Sequence, residues 1–172
     1  MKGTIVKCLE GLILEKFGAP TWKQILTTSG MPESSFFTTT TNVPDADVVK
    51  MIGATATVLK ITGEQAMEAF GEYWSTKYAP SIYEVYFAKA KTAREFLMSL
   101  DGVHVAMTKN AGAQPPRFTY KWTHERELVM TYSSARGLVA LMPGLIRGVG
   151  KYYRETVDVT VTGNDVKIQF TR

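Results

Sequence analysis

The sequence predicts an α+β fold, an N-terminal helical subdomain followed by a four-stranded antiparallel sheet with one inserted helix, and three observations carry that reading. Apolar residues recur at helical spacing through the first hundred or so residues, the period changes to two after Pro115-Pro116, and the chain closes on an alternating Val/Ile/Phe pair around Gly163-Asn164-Asp165. At 172 residues the chain is expected to be a single domain spanning 1–172, with its helical part over about 1–112 and its sheet-containing part over about 113–172.

In chain order, Ile5, Leu9, Leu12 and Ile13 predict a first helix, and Pro20-Thr21-Trp22 restarts the chain with Thr21 as the candidate cap. Asp45 or Asp47 opens a helix through Val48, Val49, Ile52 and Val58, and Gly63 separates it from a segment running Glu64 to Trp74. Pro80 is expected to break the pattern, and Thr92 to Leu100 resumes it. Phe118, Tyr120 and Trp122, then Leu128, Met130 and Tyr132, alternate with polar residues and predict two strands turning at Thr123 to Glu127. Leu138 to Val149 is apolar enough for a buried helix. Val157, Val159 and Val161 and then Val166, Ile168 and Phe170 complete the sheet through a glycine-bearing hairpin turn.

Composition narrows the function classes. With 45% hydrophobic and 21% charged residues spread along the chain, the profile is that of a soluble globular protein. The longest apolar stretches, such as Gly137 to Ile146, fall far short of a membrane span, and the Met1-Lys2-Gly3 start lacks the layout of a signal peptide, so no membrane association and a cytoplasmic location are expected. The single Cys8 excludes an internal disulfide and a cysteine-rich zinc site, and reads as a small buried apolar residue. A net charge of +4 invites a nucleic-acid reading, but the cations are interleaved with 16 acids. Arg147, Lys151 and Arg154, at the end of a predicted helix, suit the helix dipole, and no nucleic-acid partner is expected.

One run carries chemistry. In extended backbone Tyr132, Ser134 and Arg136 project to one face and offer two hydroxyls and a guanidinium. Arginine grips a carboxylate with two parallel N–H bonds and hydroxyls can take the remaining lone pairs, so the trio suits a ligand with two neighbouring acid groups. Haem carries two propionates, and its iron takes a neutral imidazole as proximal ligand. His104, 28 residues before Tyr132, is the candidate; it shares a helical face with Leu100 and Met107. His124 sits among charged residues and reads as solvent-facing. These residues propose a haem-binding protein.

The same positions resemble the haem nitric oxide/oxygen binding (H-NOX) domain family. The resemblance rests on Tyr132-x-Ser134-x-Arg136, Asp101-Gly102-Val103-His104, Pro115-Pro116-Arg117, the opening Met1-Lys2-Gly3-Thr4-Ile5-Val6, Ala69-Phe70-Gly71-Glu72-Tyr73-Trp74 and Gly144-Leu145-Ile146-Arg147-Gly148, which follow in order over nearly the whole chain. It implies non-covalent haem b seated between the helical and sheet parts, with His104 as proximal ligand and Tyr132, Ser134 and Arg136 on the propionates. It further implies that Pro116 and Ile5 press on the porphyrin and distort it, and that Leu9, Trp74, Tyr78, Leu141 and Leu145 belong to the haem pocket. Relatives that hold oxygen carry a tyrosine where this chain has Leu141. Leu9 and Leu141 therefore imply an apolar distal side that favours nitric oxide, while the Trp74 indole N–H remains a candidate donor.

The function implied is a nitric oxide sensor that also takes carbon monoxide, resembling the stand-alone bacterial members, whose partners in trans are a histidine kinase or a cyclic-di-GMP enzyme. The alternatives are an oxygen-binding haem sensor or a haem carrier without a signalling role. A haem enzyme is not expected, because peroxidase chemistry needs a distal acid–base group and none is evident.

Overall fold

A computed structural model of the protein describes residues 1–108 and 115–171. The chain forms two compact units, Met1–Phe70 and Gly71–Arg172, which divide within a helix, whereas the change from helical to strand periodicity comes after Pro115-Pro116.

In the first unit, α1 (Gly3–Phe17) buries Val6, Cys8, Leu9, Leu12 and Ile13 along its predicted stripe. Gly18, at φ 82°, ends it in a conformation that glycine adopts without strain, and its N–H reaches the Ile13 and Leu14 carbonyls. The next helix, α2 (Ala19–Thr28), starts at Ala19 with Gly18 before it. Thr21 is not its cap: Thr21 Oγ1 donates to the Phe17 carbonyl, 3.0 Å away, because Pro20 occupies the first turn and the helix has already begun. The first of the two candidate aspartates opens α3 (Asp45–Leu59), where Asp45 and Asp47 complement the helix dipole. A capping box precedes α4 (Gly63–Tyr73): Gln65 N–H donates to Thr62 Oγ1 at 3.1 Å and Thr62 N–H to Gln65 Oε1 at 2.9 Å.

In the second unit the helix does not stop at Pro80. From Trp74 to Tyr78 the backbone widens to a π-helical turn and passes into α5 (Ala79–Ile82), which contains Pro80 and ends two residues after it. Then come α6 (Glu84–Lys89) and α7 (Ala93–Thr108), the latter extending two turns beyond the predicted Leu100. The start of α7 is fixed by Glu95, whose N–H donates to Thr92 Oγ1 and whose carboxylate accepts the Lys91 N–H.

The sheet comprises β1 (Arg117–His124), β2 (Glu127–Ser133), β3 (Val157–Thr162) and β4 (Asp165–Phe170), in the order β1-β2-β4-β3 with antiparallel neighbours. Between β2 and β3 lie a 3-10 turn, Val139–Leu141, and α8 (Met142–Tyr152). Gly163 takes φ 60° at the hairpin turn, as its position requires. Alternation buries Phe118, Leu128, Met130, Tyr132, Val159, Val166, Ile168 and Phe170 on one face, where Phe96 and Leu97 of α7 and Met142, Ile146 and Val149 of α8 join them in one core. Each such side chain contributes roughly 1.5–3 kcal/mol. That core sets both α7 and the β2–α8 loop, the two segments that carry the candidate ligands.

Candidate functional site

His104 stands in the last turns of α7, half-buried, with its Nδ1 enclosed by protein. Its ring lies 5.7 Å from that of Phe118, and Phe118 lies 6.0 Å from Tyr132, its cross-strand partner. Phe118 on β1 thus packs against both His104 of α7 and Tyr132 of β2. Burial pushes the imidazole below the ordinary histidine range, with Asp101 and a backbone hydrogen bond at Pro116 opposing the shift. The neutral imidazole that results is the form that ligates a metal. Pro116, half-buried, immediately precedes β1.

Tyr132, Ser134 and Arg136 do not share one extended strand face. Only Tyr132 is on the strand, which ends at Ser133. Ser134 opens a turn: its carbonyl accepts the Gly137 N–H and its Oγ accepts the Arg136 N–H, both at 3.3 Å, while Gly137 takes φ 61°. The physical reason is local, since a serine hydroxyl competes with the sheet ladder for neighbouring N–H groups and glycine supplies the positive φ. The loop then folds back so that the Tyr132 hydroxyl accepts the Leu138 N–H at 3.3 Å. Tyr132 is buried, Ser134 half-buried and Arg136 exposed, so a turn and not a shared strand face relates the three.

Trp74 and Tyr78, at either end of the π-helical turn, have ring centroids 5.6 Å apart, and both are half-buried. Leu141 closes the 3-10 turn and Leu145 lies one turn into α8, each half-buried. The two segments approach closely through small residues. A Cβ on Gly71 would stand 2.6 Å from the Leu145 amide nitrogen, and one on Gly148 would stand 2.7 Å from Ser75 Cβ and 3.0 Å from the Glu72 carbonyl oxygen. Gly71 with Ser75, and Gly144 with Gly148, are each four apart, so each pair lies on one helix face and lets the backbones meet. Sequence reading missed this crossing, although the four-residue spacing of small residues was the available signal. Ile5, half-buried, and Leu9, buried, belong to α1 of the first unit. His124 is exposed at the end of β1. Arg147 donates to the Val159 carbonyl at 3.3 Å and Lys151 pairs with Glu72 at 2.7 Å.

The donor set fits a porphyrin: one half-buried imidazole that burial disposes to the neutral form, aromatic rings beside it, and hydroxyls with a guanidinium in and after β2. No group of three His, Cys, Asp or Glu side chains able to hold a bare metal ion occurs among the described residues.

The sequence model of the Haem-NO-binding family matches residues 2–161. The chain belongs to that family. Among curated proteins, this H-NOX domain is 28% identical over 159 residues to soluble guanylate cyclase gcy-37 of Caenorhabditis elegans, covering 90% of this chain and 22% of that protein. Soluble guanylate cyclase gcy-32 of the same organism is 26% identical over 157 residues, covering 88% and 23%. The chain thus spans under a quarter of the length of these relatives. Its fold is that of solved H-NOX proteins. An H-NOX protein from S. oneidensis in the Fe(II)NO ligation state has a TM-score of 0.89 at 16% identity, covering all of both chains. An oxygen-binding H-NOX domain, as its oxygen complex, has a TM-score of 0.82 at 24% identity, covering 100% of this chain and 96% of that one. Because the same fold occurs with either gas, the fold alone does not choose between them. No helix among the described residues is long and apolar enough to cross a membrane.

Proposed function

We propose that this H-NOX domain is a haem-based sensor of nitric oxide, also binding carbon monoxide, and the observation that carries the reading is the half-buried His104, whose ring lies 5.7 Å from Phe118, itself packed on Tyr132. Haem b, when bound, supplies a ferrous iron with a coordination position for a diatomic gas. His104 would be the proximal ligand, Tyr132, Ser134 and Arg136 would hold the propionates, and Pro116, hydrogen-bonded through its backbone to His104, would press on the porphyrin. Leu141 offers no hydrogen-bond donor, which disfavours oxygen relative to nitric oxide. The output is proposed to pass in the cytoplasm to a histidine kinase or a cyclic-di-GMP enzyme in trans, the partners that the resemblance to bacterial members implies. The absorption spectrum of the purified protein tests the first step: a haem band is expected, and its absence overturns the reading.

Gas selectivity has its own test. The ferrous wild type is expected to change spectrum with nitric oxide and with carbon monoxide and to show no persistent change with oxygen. Leu141→Tyr introduces a hydroxyl worth on the order of 1 kcal/mol toward bound oxygen, a several-fold slowing of its release. Persistent oxygen binding by the wild type would instead support the oxygen-sensor reading, which the half-buried Trp74 and Tyr78 favour because both rings carry donors.

Arg136→Ala tests the clamp. A charge-assisted bond at this exposed position is worth about 1 kcal/mol after screening by solvent, so haem transfer to an acceptor protein should be about fivefold faster. An unchanged transfer rate removes Arg136 from the role.

A further inference from the structure

The helix α7 lies along β1 in the opposite direction, and its side chains fasten it at two places. Near its start, the Arg94 guanidinium sits 4.5 Å from the Trp122 ring and 5.4 Å from the Phe170 ring, and it donates to the Glu125 carbonyl. Two turns on, Asp101 takes a two-pronged contact from Arg117, with Nε on Oδ1 and Nη2 on Oδ2, both at 2.9 Å. The same carboxylate accepts the Phe118 N–H at 3.1 Å, and the Asp101 N–H donates to the Tyr120 hydroxyl at 3.2 Å. Arg94 and Asp101 are seven apart and therefore share a helix face, which is the face laid on the strand.

Immediately after the second fastening comes Gly102, and two residues later His104. Glycine in a helix interior weakens it, and close packing is the usual reason for tolerating one. Among the described residues packing gives no reason: Gly102 is exposed and a Cβ on it would meet none of them within 4 Å, unlike Gly71 and Gly148. A groove of about 340 Å³ between α6 and α7 ends beside it, lined by Tyr86, Ser99, Gly102 and Val103 among others, so Gly102 faces open space and not a packed neighbour.

We infer that Arg94, Asp101 and Gly102 are positioning residues for His104: the first two hold α7 on β1, and Gly102 is the joint at which the segment carrying His104 bends while the rest of the helix stays fastened. The inference rests on the proposed ligand role of His104 for its functional meaning, but the joint is a property of the protein itself. It assigns the conformational change to one end of α7, not to displacement of the whole helix.

Amide hydrogen exchange on the purified full chain tests it. Protection is expected to step down by about tenfold or more between the amides of Leu97–Asp101 and those of Val105–Thr108, and Gly102→Ala should slow the second set about fivefold while leaving the first unchanged. Arg94→Met, which keeps the length of the side chain and removes its charge, should speed exchange at the first set. A smooth gradient with no step, or a uniform effect of Gly102→Ala along α7, overturns the joint. The haem-loaded Gly102→Ala protein, given nitric oxide, should keep a larger fraction of molecules with His104 attached, read from the position of the main absorption band. An unchanged fraction overturns the coupling to His104. A protein that takes up no haem would defeat the ligand assignment, while the exchange step would still decide the joint.

Discussion

His104→Gly is expected to purify without haem and to take it up only when free imidazole is supplied. The substitution removes the ligand and leaves the Phe118 and Tyr132 side and the loop donors in place, so an imidazole molecule can occupy the vacated volume. The loss of affinity should be at least on the order of a hundredfold, since outer partners of metal ligands alone cost 10–100-fold. Thermal unfolding of the haem-free variant should fall only modestly, by about the 1 kcal/mol penalty of a helical glycine. The check is a haem titration followed by absorbance, with and without imidazole. Haem uptake matching the wild type without imidazole would remove His104 from its assigned place.

Gly148→Ala carries the largest expected effect on stability. Its Cβ would meet Ser75 Cβ at 2.7 Å and the Glu72 carbonyl oxygen at 3.0 Å, and neither neighbour is the end of a flexible side chain. Overpacking of this kind costs about 2 kcal/mol or more, which lowers the melting temperature by roughly 4–8 °C in a chain of this size. Gly53→Ala is the control, because Gly53 lies inside α3 and a Cβ there meets nothing within 4 Å; it should be neutral or stabilising. Adding Ser75→Gly to Gly148→Ala should recover part of the loss, although Ser75→Gly alone destabilises. Equal melting temperatures for Gly148→Ala and Gly53→Ala would show that the crossing yields freely.

The regular elements were legible because their signals are local. The alternation in Phe118, Tyr120, Leu128, Met130, Val166 and Ile168 belongs to two-residue periodicity, and the hairpin at Gly163 to a backbone angle that glycine meets without cost. The misreadings came where two local preferences compete. Pro80 has a helix-breaking side chain, yet the π-helical turn just before it carries the chain on into α5, which ends only at Ile82. Thr21 has a capping side chain, yet Gly18 and Pro20 start α2 before it. Ser134 alternates correctly with Tyr132, but its hydroxyl and Gly137 turn the chain one residue after the strand ends.

The sequence alone determined the fold class, the order of helices and strands, the membership of the H-NOX family and the choice of His104, Tyr132, Ser134 and Arg136 as candidates, since each of these depends on residue type and spacing along the chain. Only the tertiary structure decided that the loop after Tyr132 folds back so that the tyrosine hydroxyl accepts the Leu138 N–H, that Gly148 lets α8 meet the π-helical turn, and that α7 is fastened on β1 up to Asp101. Those facts join residues far apart in the chain, Arg94 with Trp122 and Phe170, or Ser75 with Gly148. Periodicity shows which face a residue occupies and is silent on what packs against that face, because the partner is set by how the whole core closes.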